Sequence, residues 1–467
     1  MKLKAPLTFI LLAVPFFMNS IGLASQGLFI AAILLWVTEA IPLAVTALLI
    51  PVGATWFNIL SADVAFAQFS NPILFLFLGS FFLALAQEKH QLDKRMAYWL
   101  LSKKQVSKSP ALIVFFVALF TWTLSMWMSN TAATAMMIPI CMGISKSLSS
   151  DWTEEDKLNL EKRLLFASAF AASIGGMATP VGSPPNLLAM EFLRESGRTI
   201  SFFQWMMIGI PISFSLLLAL IFLLHWKFPI KAKHAKDIHH YFSNQLHELG
   251  EMKRTQYLIA MVFFLTVFLW ILPDLLQLLS IEQSLSTRLP AGAVALLGAA
   301  LLFILPHKQE NILEWKDTQS IDWGTILIFG GGLCLGKILD TSGLSTQIGE
   351  FLFAYDFSFW KVGLLCTVLG IIVSEFSSNT AATTLLVPII IAEFAGSNSV
   401  VTLALAATLG SSFGFMLPVS TPPNAIIFGT GKIPLRVMLK TGIFLDIIGA
   451  LLIILFLFAL YPFLGIV

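Results

Sequence analysis

The sequence predicts an all-α polytopic membrane protein, with about 11 transmembrane helices plus two re-entrant hairpins in inverted repeats, from three observations. Hydrophobic residues make up 57% of the 467 and charged residues only 12%, against ~25% charged in soluble domains. Apolar runs reach the ~18 residues with which a helix crosses a ~30 Å hydrocarbon core. Two polar motifs recur in the same order in both halves of the chain. Runs such as 202–224, 257–272 and 442–464 show no alternating polar face, so helices rather than a barrel are expected.

Spans are read near 6–20, 26–38, 41–58, 71–87, 164–192, 202–226, 256–275, 288–306, 322–341, 400–430 and 437–464. The first 27 residues carry lysines at 2 and 4, an apolar stretch from Leu7 to Phe17 and small residues near Ala24. Cleavable signal peptides share that pattern. The apolar segments that follow favour an uncleaved first span. Residues 88–108, with Lys89, Lys94, Arg95, Leu92, Met96 and Leu100, read as an amphipathic helix along the membrane surface. The loop 227–254 carries His234, His239, His240 and His247 without ligand spacing, and reads as solvated.

Two apolar segments, 111–146 and 359–394, have polar breaks at Ser129-Asn130-Thr131 and Ser378-Asn379-Thr380. Each is read as a re-entrant hairpin, because unpaired backbone at membrane depth survives only beside protein or water. With the N-terminus in the cytoplasm, all but five of the 28 Lys and Arg fall in inside loops. The exceptions are Arg194, Arg198, Arg288, Lys337 and Lys361. The C-terminus then faces outward. The net charge of +2 forms no basic stripe, so no nucleic-acid partner is expected. Cys141, Cys334 and Cys366 sit in apolar runs without pair spacing and read as packing residues.

The halves echo one another closely. Residues 129–140 and 378–389 are identical at eight of twelve positions, and Pro180-Val-Gly-Ser-Pro-Pro-Asn186 aligns with Pro418-Val-Ser-Thr-Pro-Pro-Asn424. The glycine-rich stretch at Gly79-Ser80 echoes Gly330-Gly331-Gly332. An ancestral duplication follows. The first break is approached from the cytoplasm and the second from outside, hence inverted repeats with a site near the midplane.

The residue types suit an anion and a cation together. Asn and Thr side chains donate to a carboxylate, and a helix starting at each break offers free N–H groups and a partial positive end. Pro184-Pro185 and Pro422-Pro423 force unwinding near 179–186 and 417–424, which frees carbonyls for a cation. No arginine lies near either motif, so bound sodium is the natural counter-charge for a dianion. Glu375 either supports a cation or sits in a packed, hydrogen-bonded pocket. Glu39 and the Lys337/Asp340 pair read as structural.

These paired motifs, with the run Thr38-Glu39-Ala-Ile-Pro42, resemble the divalent anion/sodium symporters, also called sodium/dicarboxylate or sodium/sulfate symporters. The stretch from Ser411-Ser412 through Phe415, Pro418-Val419-Ser420, Asn424 and Ile426-Ile427 is similar to the family's signature, departing at Ile427, where Val is usual. The resemblance covers essentially the whole chain. It implies a homodimer in the cell inner (plasma) membrane whose mobile transport domain moves like an elevator against a scaffold. Scaffold parts would be 1–108 and 255–356, and transport parts 109–226 and 357–467, with 227–254 as a cytoplasmic loop. By matching, Asn130, Thr131, Ser183, Asn379, Thr380, Thr421 and Pro422 would bind substrate. One sodium site would use Ser125, Ser129, Asn130 and Gly182, and its mate Ser374, Ser377, Asn379 and Ser420. Serine at 377 and 420 replaces the small, alanine-like residues usual in relatives.

The expected function is sodium-coupled symport of C4-dicarboxylates such as succinate, fumarate or malate, with Na+ co-transported. A sodium-independent dicarboxylate or citrate exchanger and a sulfate carrier are the alternatives. An enzyme is disfavoured, because the apolar spans hold no paired Asp, no His with a nucleophile and no HExxH. A channel suits duplicated broken helices less well than alternating access does.

Overall fold

A computed structural model describes residues 4–20, 22–148, 152–232, 237–279, 288–307, 310–352 and 358–464 of the chain. Lys2, Lys233, His234, Lys236 and Lys308, used in the reading of orientation and loops, lie outside them. Among the described residues the architecture is helical apart from a two-residue strand pair, Pro306–His307 with Glu310–Asn311. Six helices are long and apolar enough to cross a membrane, and seven shorter apolar helices accompany them. The protein is a polytopic helical membrane protein.

Helices α1 (Lys4–Ser20), α2 (Ala24–Thr38) and α3 (Leu43–Trp56) pack in succession. The expected span 41–58 is thus a helix of only 14 residues. Glu39 closes α2 in the left-handed region, at φ 47°. That turn delivers Pro42 to the start of α3, where its fixed φ suits a helix entry. After α4 (Ala62–Ala67), Asn71 caps α5 (Pro72–Lys89) by accepting from Ile73 N–H at 3.0 Å.

The surface helix α6 is shorter than expected, Leu92–Leu101. Asp93 on it is buried, and loss of solvation pushes its carboxyl up to about 6. The histidine-bearing loop is not simply solvated. It contains α12 (Asp237–Glu248), an amphipathic helix that lies on α6. His239 Nδ1 is 2.6 Å from the Ser102 carbonyl, and Phe242 is buried against Tyr98. Arg95 donates to the Leu249, Gly250 and Glu251 carbonyls just past the end of α12, a favourable place for a cation.

Both polar breaks separate two helices. The first lies between α7 (Pro110–Ser125) and α8 (Asn130–Lys146). The span expected at 164–192 is divided. Its first half, α9 (Glu154–Gly176), begins ten residues early because Thr153 caps it and three acids occupy its first turn. Its second half is α10 (Pro184–Glu195). Helices α11 (Phe202–Lys227), α13 (Arg254–Leu278) and α14 (Ala291–Ile304) follow, then α15 (Trp323–Thr341) and α16 (Leu344–Leu352), the last unforeseen. The second half repeats the plan with α17 (Phe359–Phe376), α18 (Asn379–Glu393), α19 (Val400–Ser411) and α20 (Pro422–Gly429). Helix α21 (Leu435–Leu455) closes the bundle and packs on α11 and α17.

The centre is formed by α9, buried continuously from Arg163, and by α19, buried along nearly its whole length. Each packs closely against the preceding arm, α7 on α9 and α17 on α19. The three cysteines are free and buried, as packing residues should be. Lys337 and Asp340 form an ion pair of 3.2 Å at the end of α15.

Candidate functional site

At each tip a helix begins with its cap facing the break. Ser129 accepts from Ala132 N–H at 3.2 Å and Ser378 from Ala381 N–H at 3.1 Å. Each serine thereby satisfies one of the helix's unpaired donors. The N–H groups of Asn130 and Thr131, and of Asn379 and Thr380, remain at the positive helix ends. Behind each tip a buried serine fixes the asparagine: Ser125 Oγ donates to Asn130 Oδ1 and Ser374 Oγ to Asn379 Oδ1, both at 2.7 Å.

The proline loops are braced by the asparagine that ends each motif. Asn186 Nδ2 donates to the Gly176 and Thr179 carbonyls at 2.8 and 2.7 Å. Asn424 Nδ2 donates to Gly414 and Leu417 at 2.7 and 2.9 Å. Both asparagines are fully buried. The brace holds each unwound stretch beside its tip.

Oxygen atoms converge between tip and loop. A Cβ added at Gly182 would lie 2.6 Å from the Gly176 carbonyl oxygen and 3.0 Å from that of Ser125. One added at Gly176 would meet Asn130 Oδ1. Two carbonyls and an amide oxygen thus surround the Gly176–Gly182 pair, a neutral donor set suited to a hard monovalent cation. At the second tip, Ser374 Oγ also lies 2.6 Å from the Phe413 carbonyl, and Asn379 Nδ2 donates to Ser412 at 3.3 Å.

Both tips and both loops line one cavity of about 470 Å³. It brings together every residue expected to bind substrate: Asn130, Thr131, Ser183, Asn379, Thr380, Thr421 and Pro422. Of the expected sodium ligands, Ser129, Asn130, Gly182, Asn379 and Ser420 also line it, while Ser125 and Ser374 stand behind the tips. Ser377 is outside the lining, with its hydroxyl donating to Val373 at 2.6 Å. No Lys or Arg lines the cavity, and Asp322 is its one charged group among the described residues.

The opposite wall escaped the sequence reading. Pro42, Leu43 and Ala44 come from the start of α3, Phe77 and Phe81 from α5, and Asp322 and Thr325 from the start of α15. Only the Thr-Glu-Ala-Ile-Pro run hinted at the first group. Apolar helix-facing residues carry no signal of what they face. Gly176 was missed as well, although its position before a duplicated motif was visible. Glu375 is settled in favour of the packed pocket. Its carboxylate is fully buried and accepts from Met416 N–H, Leu417 N–H and Ser420 Oγ.

The family model for the sodium:sulfate symporter transmembrane region matches residues 1–467. The chain belongs to this symporter family. It is a membrane transporter and not an enzyme. Among its relatives is the sodium-dependent dicarboxylate transporter SdcS of Staphylococcus saprophyticus, 34% identical over 98% of this chain and 90% of that protein. The SdcS protein of Staphylococcus aureus strain MRSA252 is 35% identical over the same shares. The fold is similar to the crystal structure of the Alcanivorax borkumensis YdaH transporter, at TM-score 0.57 and 14% identity over 89% of this chain and 88% of that one.

Proposed function

We propose that this protein carries C4-dicarboxylates such as succinate, fumarate and malate across the membrane together with sodium ions. The observation that carries this reading is a single cavity bearing both Ser-Asn-Thr tips and both proline loops without a basic side chain. A dianion there is held by four tip side chains and two helix ends, and its charge is offset by sodium on the converging oxygens. The SdcS relatives, described as sodium-dependent dicarboxylate transporters, support the same reading. The substrate sites are Asn130, Thr131, Ser183, Asn379, Thr380, Thr421 and Pro422. Sodium binds at Ser125, Ser129, Asn130 and Gly182, and at Ser374, Ser377, Asn379 and Ser420.

The two repeats lie inverted in the membrane, with the N-terminus in the cytoplasm and the C-terminus outside. Segments 109–226 and 357–467 move as a transport body against a scaffold of 1–108 and 255–356, in a homodimer. The cavity wall mixes tips from the first set with α3, α5 and α15 from the second, which is where an elevator slides.

The deciding experiment is radiolabelled succinate uptake into proteoliposomes under an inward sodium gradient, compared with potassium. Sodium-driven accumulation into empty vesicles is expected. Uptake that needs internal succinate and ignores sodium would make the protein an exchanger. No succinate uptake in either condition would transfer the reading to citrate or sulfate.

A further inference from the structure

The boundary between the proposed scaffold and transport body has an open end and a closed end. At the open end Pro42, Asp322 and Thr325 line the cavity from the starts of α3 and α15. Both helices begin on the cytoplasmic side in the proposed orientation, so the cavity faces inward. Asn71 stands just before α5, six residues ahead of Phe77 and ten ahead of Phe81, which line the cavity. At ~1.5 Å per residue those offsets set Asn71 roughly 9 to 15 Å further outward. Gly336 lies 12 residues beyond Gly324 of the cavity wall on α15, roughly 18 Å outward by the same rise. There the Phe192 ring closes on Gly336 across the boundary.

A directed bond crosses the boundary at this closed end. Glu191 on α10 is 1% exposed, and Asn71 Nδ2 donates to its Oε1 at 2.5 Å. The cap of α5 decides how that amide points. Asn71 Oδ1 accepts from Ile73 N–H, which leaves the NH2 group for Glu191. Arg194 holds the same carboxylate from within α10, with Nε donating to Oε2 at 2.8 Å and a second nitrogen to Oε1. Pro184 and Pro185 of the cavity open the same helix, so Glu191 moves with the site. A slide of the bodies by more than about 1 Å breaks the Asn71 bond. Arg194 travels with Glu191, so opening costs one hydrogen bond and leaves no buried carboxylate unpaired.

We propose that Asn71 and Glu191 form an outer latch that holds the transport body at its inward end and must open in every transport cycle. Asn71 touches neither ion nor substrate and is a positioning residue. Arg194 keeps the Glu191 carboxylate aimed at it. The inference rests on the proposed division into two bodies and on the proposed orientation.

Cross-linking and uptake by the full chain in proteoliposomes test the latch together. Glu195 and Lys337 line one small cleft between the bodies. The rate at which mercury(II) cross-links Glu195→Cys with Lys337→Cys therefore reads the inward end, while the native cysteines are buried. In that background Asn71→Asp keeps the cap oxygen but turns the donor into a second carboxylate oxygen against Glu191. It should slow cross-linking about tenfold, as loss of one hydrogen bond to a charged group implies. Half-saturation for external succinate at saturating sodium should fall about threefold or more, because a larger fraction of the protein faces outward. Adding Glu191→Gln supplies a donor from the other side and should bring both readouts within about twofold of native, a rescue that a merely structural Asn71 does not give. Asn71→Ser keeps a cap oxygen without the reach and should behave as Asn71→Asp does, so it decides if Asn71→Asp does not fold. Native cross-linking and half-saturation in both single variants overturn the latch, as does a double variant no closer to native than Asn71→Asp. Absence of cross-linking in the otherwise native background overturns it too. If the native chain takes up no succinate, the transport reading fails by itself and cross-linking still decides the latch.

Discussion

The two halves of the protein solve one backbone problem with different chemistry. Each must keep an unwound stretch open beside a polar tip. The shared devices are Ser125 and Ser374 on the tip asparagines, and Asn186 and Asn424 across the loops, with matching partners. The remaining bonds diverge. In the first half Thr179 Oγ1 donates to the Met126 carbonyl, Trp205 Nε1 to Met177 at 3.1 Å, and Ala178 N–H to Gly175 at 3.0 Å. Neutral donors and a local turn suffice there. In the second half the residue matching Met126 is Glu375, and it takes the Met416 N–H that would otherwise close a turn. Gly209 packs on the Met177 and Ala178 carbonyls as Gly442 packs on Phe415 and Met416. Four residues beyond those glycines stand Ser213 and Asp446 respectively. The parts that face the cavity match between the halves, while the supports behind them are neutral in the first half and acidic in the second.

The largest effect tests whether the tips are equivalent. Asn130→Ala and Asn379→Ala should each reduce succinate uptake about a hundredfold or more, since each removes donors to a charged ligand together with a cation oxygen. Both variants should elute from a sizing column as the native protein does. Near-native uptake by either would break the symmetry and remove that tip from the site.

A swap between the halves sharpens the difference. Gly182 matches Ser420, yet its Cβ position lies 2.6 Å from a carbonyl oxygen. Gly182→Ser should therefore abolish sodium-driven uptake by displacing the oxygen cluster. Ser420→Gly removes one hydroxyl from Glu375 and should lower uptake at limiting sodium only about fivefold. Equal losses would show that the two loops are supported alike.

The braces should behave as twins. Asn186→Ala and Asn424→Ala each leave two buried carbonyls without a donor, which costs on the order of 2 kcal/mol. Unfolding in detergent should show similar destabilisation, and a large disparity would contradict a shared brace.

Asp93 supplies a buried acid outside the repeats for comparison with Glu375, whose buried carboxylate meets three donors. The Lys94 N–H, 2.7 Å from its carboxylate, does not offset burial, and the carboxyl rises from the ordinary 3.8 to about 6. The folded state therefore holds this proton more tightly than the unfolded chain, and stability falls as pH rises from about 4 to about 6. Asp93→Asn should raise thermal stability above pH 6 by on the order of 2 kcal/mol, with no gain near pH 4. A gain that is the same at both pH values would mean that charge is not the cause.

Much of the site was legible because duplication writes it twice. Ser-Asn-Thr and Pro-Pro-Asn named the tip and loop residues, and the structure gathers them around one cavity. The helix boundaries were less legible where tertiary packing sets them. Helix α12 was hidden because its apolar positions, Ile238 and Phe242, are few and gain their meaning only against α6.

The sequence by itself determined the membrane class, the repeat and the chemistry of the tips, because composition, periodicity and proline act locally. The tertiary structure decided which carbonyls converge beside Gly182 and which residues of α3, α5 and α15 close the cavity. Pro42, Phe77 and Asp322 carry no local pattern that names the tips they face, because a contact between helices depends on how their faces pack.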